Sequence, residues 1–564
     1  MKKFLLILAT LSILLTMVAC GTDTPTTPST NDTTTTTTTP TTSTTSKDEP
    51  APHEHTAGEW VIVEEAQKTV DGYKTQSCSE CGEELARETL YATGSEGLDY
   101  YQNYGENTCY IRGIGTCTDT EIYIPAYING LRVIEVKGLS ASKTVTSVTI
   151  ANGIQFIGNN AFLFCDNLHT VVLPDSIISI GDSAFYSCDN LSTINIPESV
   201  TIIDDEAFYG CINLTEITIP KSVVKLGEGV FFKCKSMINF NVDDENPNYQ
   251  SIDGNLYTKD GTVLIQYATA KTEKSFVIPE TVTKIDKYAF YLSNLYNVTF
   301  PEGLKEIGEA AFANSFNLRS INLPNGIDTI PEYAFAYCIG LESVTIPESV
   351  LYIESHAFYD CKLLTSVVLP SKLTKISNHI FSGCYKLKTI NIPESVTTIG
   401  ESPFSSTLIY YVYIPASVTQ IDASAFTGAV NVDTFEVAAE NQHYQAINGN
   451  LYTKDGKTLI RYAAANTNTS FTIPNGVTHI SKEAFYYAQS LTSVTIPASV
   501  TRIEERAFSY CYDITEFIFE GTKAEWENVK KLTDWDKHCG SLDYPLTGYE
   551  YVVKCTDETI TVTK

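Results

Sequence analysis

The sequence has few basic residues, few methionines and few histidines. Of its 564 residues, 38 are Lys or Arg and 67 are Asp or Glu, which gives a net charge of −29. Nucleic acids are bound by Lys- and Arg-rich surfaces, so this balance argues against a nucleic-acid partner. Three methionines beside 34 tyrosines and 22 prolines are unusual for a helical cytosolic enzyme. Hydrophobic residues make up 43% of the chain, which is enough to form a core along most of it.

The sequence also lacks the short motifs of common active sites. It contains no HExxH, no GxSxG and no nucleophile–base motif. Gly456-Lys457-Thr458 matches the end of a phosphate-binding loop, but Leu451 stands where that loop requires glycine. The eight histidines are scattered. We therefore predict a protein that is not an enzyme and requires no cofactor.

Membrane attachment depends on the N-terminus, since no later apolar run approaches the roughly 18 residues of a transmembrane helix. Lys2 and Lys3 precede an apolar stretch that ends in small residues before Cys20. This pattern is typical of a secretory signal peptide, which we place at residues 1–19. The residues before Cys20 resemble the bacterial lipobox, in which the cysteine becomes the first mature residue and carries the lipid. An ordinary signal peptide with a chance cysteine is the alternative. We predict lipid attachment at Cys20 and display on the outer face of a bacterial membrane.

A stalk follows the predicted anchor. Residues 21–50 contain 16 Thr and four Pro, a composition that cannot bury apolar surface. We predict that residues 20–50 form a disordered tether, which holds the rest of the protein away from the bilayer.

A small module with a candidate metal site occupies residues 51–95. His53 and His55 are followed, 23 residues beyond His55, by the CxxC motif of Cys78 and Cys81. Two His and two Cys are the N/S ligands that tetrahedral zinc prefers. The module resembles ribbon-like modules in surface proteins of anaerobic bacteria, where a Cys or His pair precedes a CxxC. We predict a β-ribbon with a structural zinc site; a disulfide between the two cysteines and a site without metal are the alternatives.

The rest of the chain repeats about every 23 residues. The repeat is marked by apolar-Pro dipeptides that are 22 or 23 residues apart, except for two steps of 59, and that end at Pro174, Pro197, Pro220, Pro279, Pro301, Pro324, Pro347, Pro370, Pro393, Pro415, Pro474 and Pro497. In one unit Leu191, Ile194 and Ile196 have the alternation of a short strand. Pro197 ends that strand, because proline cannot donate to a ladder. A fixed period in the twenties is typical of a solenoid.

The repeat unit, xLxxIxIPxxVxxIxxxAFxxC, resembles the leucine-rich repeats of the BspA-like family, and the match extends over about residues 100–564. The resemblance implies an α/β-type repeat solenoid dominated by short parallel β-strands. We place it at residues 96–520, with a C-terminal cap at 521–564. It further implies a surface protein that binds proteins, with adhesion to host or extracellular-matrix proteins or to other cells. A carbohydrate-capturing or cell-envelope scaffold lipoprotein is the alternative.

The two 59-residue steps are copies of each other. Residues 246–276 reappear as residues 441–471, displaced by 195 residues. Each copy has two alternating runs around a Lys-Asp-Gly turn, which predicts a β-hairpin because glycine supplies the positive φ. We expect hairpins at about 244–275 and 439–470 to project from the solenoid as specificity elements; structural spacers are the alternative.

Most of the 15 cysteines belong to the repeat. Eight of them lie three residues after the repeat phenylalanine, in a slot that Ser, Thr or Ala fills elsewhere: Cys165, Cys188, Cys211, Cys234, Cys338, Cys361, Cys384 and Cys511. We predict that they are free thiols that fill a tight core position. Cys109 with Cys117 and Cys539 with Cys555 flank the array, where a disulfide would staple an end; their redox state is left open.

The exposed strand positions are rich in hydroxyl and amide side chains. Threonine's strand propensity explains part of this pattern, but extended polar faces on solenoids are also common binding surfaces. The candidate binding residues are five on the strands and one tyrosine in each insert: Asn195, Thr218, Asn322, Thr345, Thr495, Tyr257 and Tyr452.

Overall fold

The computed structural model describes residues 54–540 and 550–563. The predicted signal peptide, Cys20, the stalk and His53 lie outside these residues. The chain divides into two units, one holding residues 1–59 and 77–83 and the other residues 60–76 and 84–564. The described chain begins with three strands that form one sheet in sequence order: Ala57–Glu64, Gly72–Cys78 and Glu84–Leu90.

The remainder is a solenoid of short strands, as predicted. Most coils have a front strand, which precedes the repeat proline, and a back strand, which follows it; the coils of Pro370 and Pro393 have only the back strand. The front strands, with the antiparallel strand that closes their edge, are Glu121–Ile124, Ser147–Ile150, Thr170–Val172, Thr193–Ile194, Glu216–Ile219, Asn239–Val242, Ser275–Val277, Asn297–Thr299, Ser320–Asn322, Ser343–Thr345, Tyr411–Ile414, Thr434–Val437, Ser470–Thr472, Ser493–Ile496, Glu516–Phe519, Glu550–Lys554 and Thr559–Thr563.

The back strands are mostly two residues long, and the sequence pattern did not predict them. Together with the strands that begin their sheet they are Asp99–Gln102, Thr108–Gly113, Tyr127–Ile128, Leu131–Val136, Phe156–Ile157, Ser179–Ile180, Ile202–Ile203, Lys225–Leu226, Lys284–Ile285, Glu306–Ile307, Thr329–Ile330, Tyr352–Ile353, Lys375–Ile376, Thr398–Ile399, Gln420–Ile421, His479–Ile480, Arg502–Ile503 and Lys530–Lys531. Neighbouring coils pair in parallel with a shift of one repeat, so that Thr170 lies opposite Thr193 on the front and Ile203 opposite Leu226 on the back.

Stacked phenylalanines run through the core. Phe162, Phe185, Phe208 and Phe231 are buried, and successive ring centroids lie 5.0, 5.3 and 5.9 Å apart in nearly parallel planes. Each buried ring contributes about 2 kcal/mol of hydrophobic stabilisation. The turn that carries these phenylalanines also links the coils, since the Phe208 N–H donates to the Val230 carbonyl of the next coil at 3.0 Å.

The eight repeat cysteines are buried free thiols, which confirms the prediction. Each thiol also donates to a backbone carbonyl of the preceding coil, in most coils that of the repeat phenylalanine; Cys211 reaches the Phe185 oxygen at 3.2 Å. Ser315 makes the same bond to the Phe290 oxygen at 2.9 Å. The slot therefore favours a small hydrogen-bond donor and not small size alone. Cys109, Cys117, Cys539 and Cys555 form no disulfide in the described residues either.

The two inserts do not project as hairpins. Each is a three-stranded antiparallel meander: Tyr249–Ile252, Asn255–Thr258 and Val263–Gln266 in the first, and Tyr444–Ile447, Asn450–Thr453 and Thr458–Arg461 in the second. The third strand of each pairs in parallel with the next back strand. Both inserts are thus built into the back sheet, and the expectation that they project is wrong.

The middle strand of each insert forms a wall between two parts of the core. Leu256 packs with the preceding core cluster and its neighbour Tyr257 with the following one. Leu451 and Tyr452 divide the second and third clusters in the same way. Tyr257 and Tyr452 are fully buried, so our assignment of both to the binding surface is wrong.

The C-terminal segment adds one more coil before it closes the array. It begins with the helix Lys523–Asn528, where Thr522 and Glu525 form a capping box. The back strand Lys530–Lys531 and the front strand Glu550–Lys554 then continue their sheets in parallel. Within residues 54–540 and 550–563, no helix has the length and hydropathy needed to cross a membrane.

Candidate functional site

The front strands expose a column of mostly uncharged side chains, which we call the front-face column. In most coils one exposed or half-buried residue stands between two that point into the core, as Asn322 does between Ile321 and Leu323. The column members set by strand register are Tyr123, Thr149, Val172, Thr218, Asn241, Val277, Thr299, Asn322, Thr345, Tyr413, Glu436, Thr472, Thr495, Ile518 and Lys554. Of these described members only Glu436 and Lys554 are charged, although the whole chain carries a net charge of −29.

Four of the five predicted strand residues are exposed on this face: Asn195, Thr218, Asn322 and Thr345. Thr495 is half-buried. Asn195 accepts from the Leu173 N–H at 2.9 Å and donates to the Leu173 carbonyl at 2.8 Å, so its side chain extends the sheet ladder. Thr345 donates to the Asn322 side-chain oxygen at 2.9 Å. The polar groups of the face are therefore held in place by bonds from coil to coil.

Three valines at equivalent positions give the face an apolar component that sequence reasoning missed. Val172, Val277 and Val368 are 45%, 66% and 72% exposed. Protein interfaces are depleted of charge at their centre and combine apolar contact with hydrogen bonds. A column made mainly of hydroxyls, amides and valines has these properties, while Glu121, Glu216 and Glu516 lie at another exposed or half-buried position of the same strands.

A second surface feature is a ridge of aromatic rings at the turn that carries the Ala-Phe pair. We call Phe164, Tyr186, Tyr209, Phe232 and Tyr288 the aromatic ridge. Tyr186 and Tyr209 stack at 4.1 Å with an interplanar angle of 5°, and Phe232 and Tyr288 stack at 4.0 Å. The sequence signal was present and overlooked: in three successive repeats an aromatic residue directly follows the repeat phenylalanine.

A cavity of about 460 Å³ lies on the back side after the first insert. Four of its charged side chains form two ion pairs: Lys287 lies 3.1 Å from Glu228, and Lys284 lies 2.8 Å from Glu306. Burial raises the pKa of Asp286. The cavity holds neither a cysteine nor a histidine among its lining residues, and its charges are engaged in ion pairs rather than arranged as a nucleophile and a base.

Three of the four predicted metal ligands lie close together in the N-terminal part of the described chain. The ligand atoms of His55, Cys78 and Cys81 all lie within 4.8 Å of one another. His53 lies outside the described residues.

Several solved structures are similar to this chain. No curated protein matches this chain. Among solved structures, the chain is similar to a leucine-rich repeat protein from Eubacterium ventriosum, with 24% identity, a TM-score of 0.42 and coverage of 56% of this chain and 94% of that chain. It is also similar to the pneumococcal vaccine antigen PcpA, with 22% identity, a TM-score of 0.46 and coverage of 62% and 94%. A leucine-rich cell-surface protein from Faecalibacterium prausnitzii has 22% identity, a TM-score of 0.39 and coverage of 79% and 98%.

The family comparison covers most of the repeats described above. The model of the BspA type leucine-rich repeat region matches residues 133–260, 266–363, 328–446 and 458–529, with six copies. These ranges hold most of the front and back strands, the phenylalanine stack and parts of both inserts, and together they make up more than half of the chain. The chain belongs to the BspA-type leucine-rich-repeat family.

Proposed function

We propose that this chain is a lipoprotein anchored through Cys20 and displayed outside the cell, where its front face binds a protein partner. The observation that carries the proposal is the front-face column, in which only Glu436 and Lys554 are charged, on a chain with a net charge of −29. Leucine-rich repeats generally mediate protein interactions, and proteins of this family are typically surface or extracellular and not enzymes. By family resemblance, the partner class is extracellular-matrix or host surface protein.

The physical reason for favouring the front face is the low cost of covering it. Each charge that an interface buries without a partner must lose its hydration, and that cost is large. The column has Thr, Asn and Val where the rest of the surface has Asp and Glu. Its strands lie ~4.8 Å apart in a rigid ladder, so a partner meets groups that are already ordered.

Binding is tested with the full mature chain against a panel of purified matrix proteins such as collagen, laminin and fibronectin. The variant Val172→Lys/Val277→Lys/Val368→Lys adds three charges to the front face. Val224→Lys is the matched control, because Val224 is 52% exposed on the back side. We expect saturable binding to at least one panel protein, weakened about ten-fold by the triple variant and unchanged by the control. No saturable partner, or equal binding by the triple variant, would overturn the proposal.

The anchor is tested separately by metabolic labelling with a fatty-acid probe. We expect labelled protein in the membrane fraction, and for Cys20→Ser no label and release into the medium. An unlabelled wild-type chain would contradict lipidation at Cys20 without bearing on the front face.

Carbohydrate capture is a second candidate, and the aromatic ridge is the observation that favours it. The polarised C–H bonds of a sugar ring pack well on the negative face of an aromatic ring. Tyr186 and Tyr209 are parallel and cover each other's inner faces, whereas Phe164 beside them is 45% exposed and offers such a surface. On a glycan array we expect Phe164→Ala to abolish any glycan signal, with Tyr385→Ala, an exposed tyrosine outside the ridge, as the control. An array without signal would remove this candidate.

A further inference from the structure

We propose that His55, Cys78 and Cys81 bind a structural zinc ion, and that Glu83 orients the histidine for this role. Ligands of a tetrahedral zinc ion, with bonds of about 2.0 to 2.3 Å, lie roughly 3.3 to 3.8 Å from one another. The His55 Nδ1 and Cys81 Sγ atoms are 3.5 Å apart, and the three ligand atoms lie within 4.8 Å of one another. The three side chains thus already surround a point that suits a metal ion of this size.

The backbone between the two cysteines has the shape that brings both sulfurs to one side. The Gly82 N–H donates to the Cys78 carbonyl at 2.9 Å, and Gly82 has a φ of 77°, which glycine adopts at low cost. The Glu80 N–H points to the Cys78 sulfur at 3.5 Å. An N–H directed at sulfur stabilises the thiolate, the form that binds metal.

Glu83 determines which nitrogen of His55 faces the metal site. The Glu83 carboxylate oxygen lies 3.3 Å from His55 Nε2. A proton on Nε2, donated to this carboxylate, leaves the lone pair on Nδ1, and Nδ1 is the atom that faces the cysteine sulfur. Histidines that bind metals commonly donate their other ring N–H to a carboxylate in this way. Glu83 is therefore a positioning residue.

The composition of the ligand set indicates a structural ion. Cys78 is buried and Cys81 half-buried. Two thiolates and one imidazole are ligands that structural zinc sites use. Binding releases the two thiol protons, so the affinity falls as the pH is lowered. The zinc site shares no residue with the front face, and it does not depend on the proposed function.

The test measures zinc in the full mature chain, purified with thiols kept reduced, by elemental analysis and by the spectrum of the cobalt-substituted protein. We expect about one zinc per chain and a thiolate-to-cobalt charge-transfer band. Cys81→Ser should lose both, whereas Cys117→Ser, which removes a partly exposed thiol elsewhere, should lose neither.

The role of Glu83 has its own readout. Glu83→Gln should weaken zinc affinity by about 10- to 100-fold in a chelator competition while the cobalt band is retained. Glu80→Gln, within the CxxC motif, is the control and should bind as the wild type does. Less than half an equivalent of zinc, zinc that persists in Cys81→Ser, or a Cys78–Cys81 disulfide found by mass spectrometry would overturn the site. Equal affinities of Glu83→Gln and wild type would overturn the role of Glu83.

Discussion

The two inserts, residues 246–276 and 441–471, are the same device built twice. Each begins with a fully buried asparagine, Asn246 or Asn441. The Asn246 Nδ2 donates to two carbonyls of the preceding coil at 2.8 and 3.1 Å, and its Oδ1 accepts from two N–H groups of its own insert at 2.9 and 2.8 Å. Asn441 makes the same four bonds at 2.8 to 3.0 Å. This asparagine joins the meander to the coil before it.

A tyrosine completes the junction in both copies. The Tyr249 hydroxyl accepts from the Leu226 N–H at 2.8 Å, and the Tyr444 hydroxyl accepts from the Ile421 N–H at 2.9 Å. Each hydroxyl thus satisfies a back-strand N–H at the point where the ladder is interrupted.

The copies differ where the meander meets the following coil. Gln266 in the first insert donates to the Ala289 carbonyl at 3.1 Å. Its counterpart in the second is Arg461, a buried cation that donates to the Glu483 carbonyl at 2.5 Å. Burial lowers the pKa of Arg461 to about 10, against the opposing attraction of Glu483, so the side chain is still charged at neutral pH.

The partner position changes together with this residue. Where the second copy has the buried carboxylate of Glu483, which accepts from Thr427, the first has Tyr288, which stacks on Phe232. Tyr288 and Glu483 both have a positive φ, 61° and 55° respectively, so the two copies share the backbone conformation and differ in the side chain. The comparison teaches that the asparagine and tyrosine network holds the insert, and that the contacts around it are free to vary.

Breaking the shared network should have the largest effect. Asn246→Ala leaves two buried carbonyls and two N–H groups without partners, and we expect a local loss of about 4 kcal/mol. Asn441→Ala should cost the same. Because repeat arrays open locally, the measurement is hydrogen exchange by mass spectrometry.

Protection should fall mainly in the altered insert and the coil before it. Asn248→Ala is the control, since this exposed side chain makes one bond, to the Val224 carbonyl at 3.0 Å. Unchanged protection in Asn246→Ala would show that the buried asparagine does not hold the insert.

Exchanging the variable contacts is the next test. Arg461→Ala removes the donor to the Glu483 and Tyr486 carbonyls and takes a buried cation away from Glu483, whose carboxylate keeps Arg506 at 3.8 Å; we expect a loss of about 3 kcal/mol. The double variant Arg461→Gln/Glu483→Tyr copies the first insert and should regain most of that loss. Urea unfolding followed by tryptophan fluorescence reports on this region, since Trp526 and Trp535 belong to its core cluster. A double variant as unstable as Arg461→Ala would mean that the two contact sets are not interchangeable.

The smallest effect is expected at the buried tyrosines of the two walls. Within the described residues, the Tyr257 and Tyr452 hydroxyls are buried without a hydrogen-bond partner, and burial raises the pKa of both. Tyr257→Phe and Tyr452→Phe should therefore be neutral or stabilising by up to about 1 kcal/mol. Tyr249→Phe, which removes the acceptor of the Leu226 N–H, should instead cost about 1 kcal/mol, measured by hydrogen exchange in the first insert. A marked loss in Tyr257→Phe would show a partner for its hydroxyl.

Periodicity predicted the solenoid because each repeat satisfies the same local rules. Alternation set the front strands, and the prolines marked their ends. The back strands were missed because two residues, such as Ile202 and Ile203, are too few to show alternation. The donor role of the cysteine slot was visible only as a mixture of Cys, Ser and Thr that also includes Ala488.

The inserts show where local reasoning stops. The Lys-Asp-Gly turn was recognised, but the Asp253-Gly254 turn was not, so a meander was taken for a single hairpin. Tyr257 was assigned to the surface because alternation cannot tell which side of a strand meets solvent when both sides meet a core. The front-face valines and the aromatic ridge each need the stacking of coils to become a surface.

One measurement separates the front face from the inserts as the binding element. The dissociation constant of the full mature chain for its matrix-protein partner is compared among the wild type, Val172→Lys/Val277→Lys/Val368→Lys and Lys259→Ala/Lys454→Ala, which alters the exposed turn of each insert. Our proposal predicts a dissociation constant about ten-fold higher for the front-face variant and about equal to wild type for the turn variant. Loss of binding in the turn variant, with the front-face variant unaffected, would contradict it.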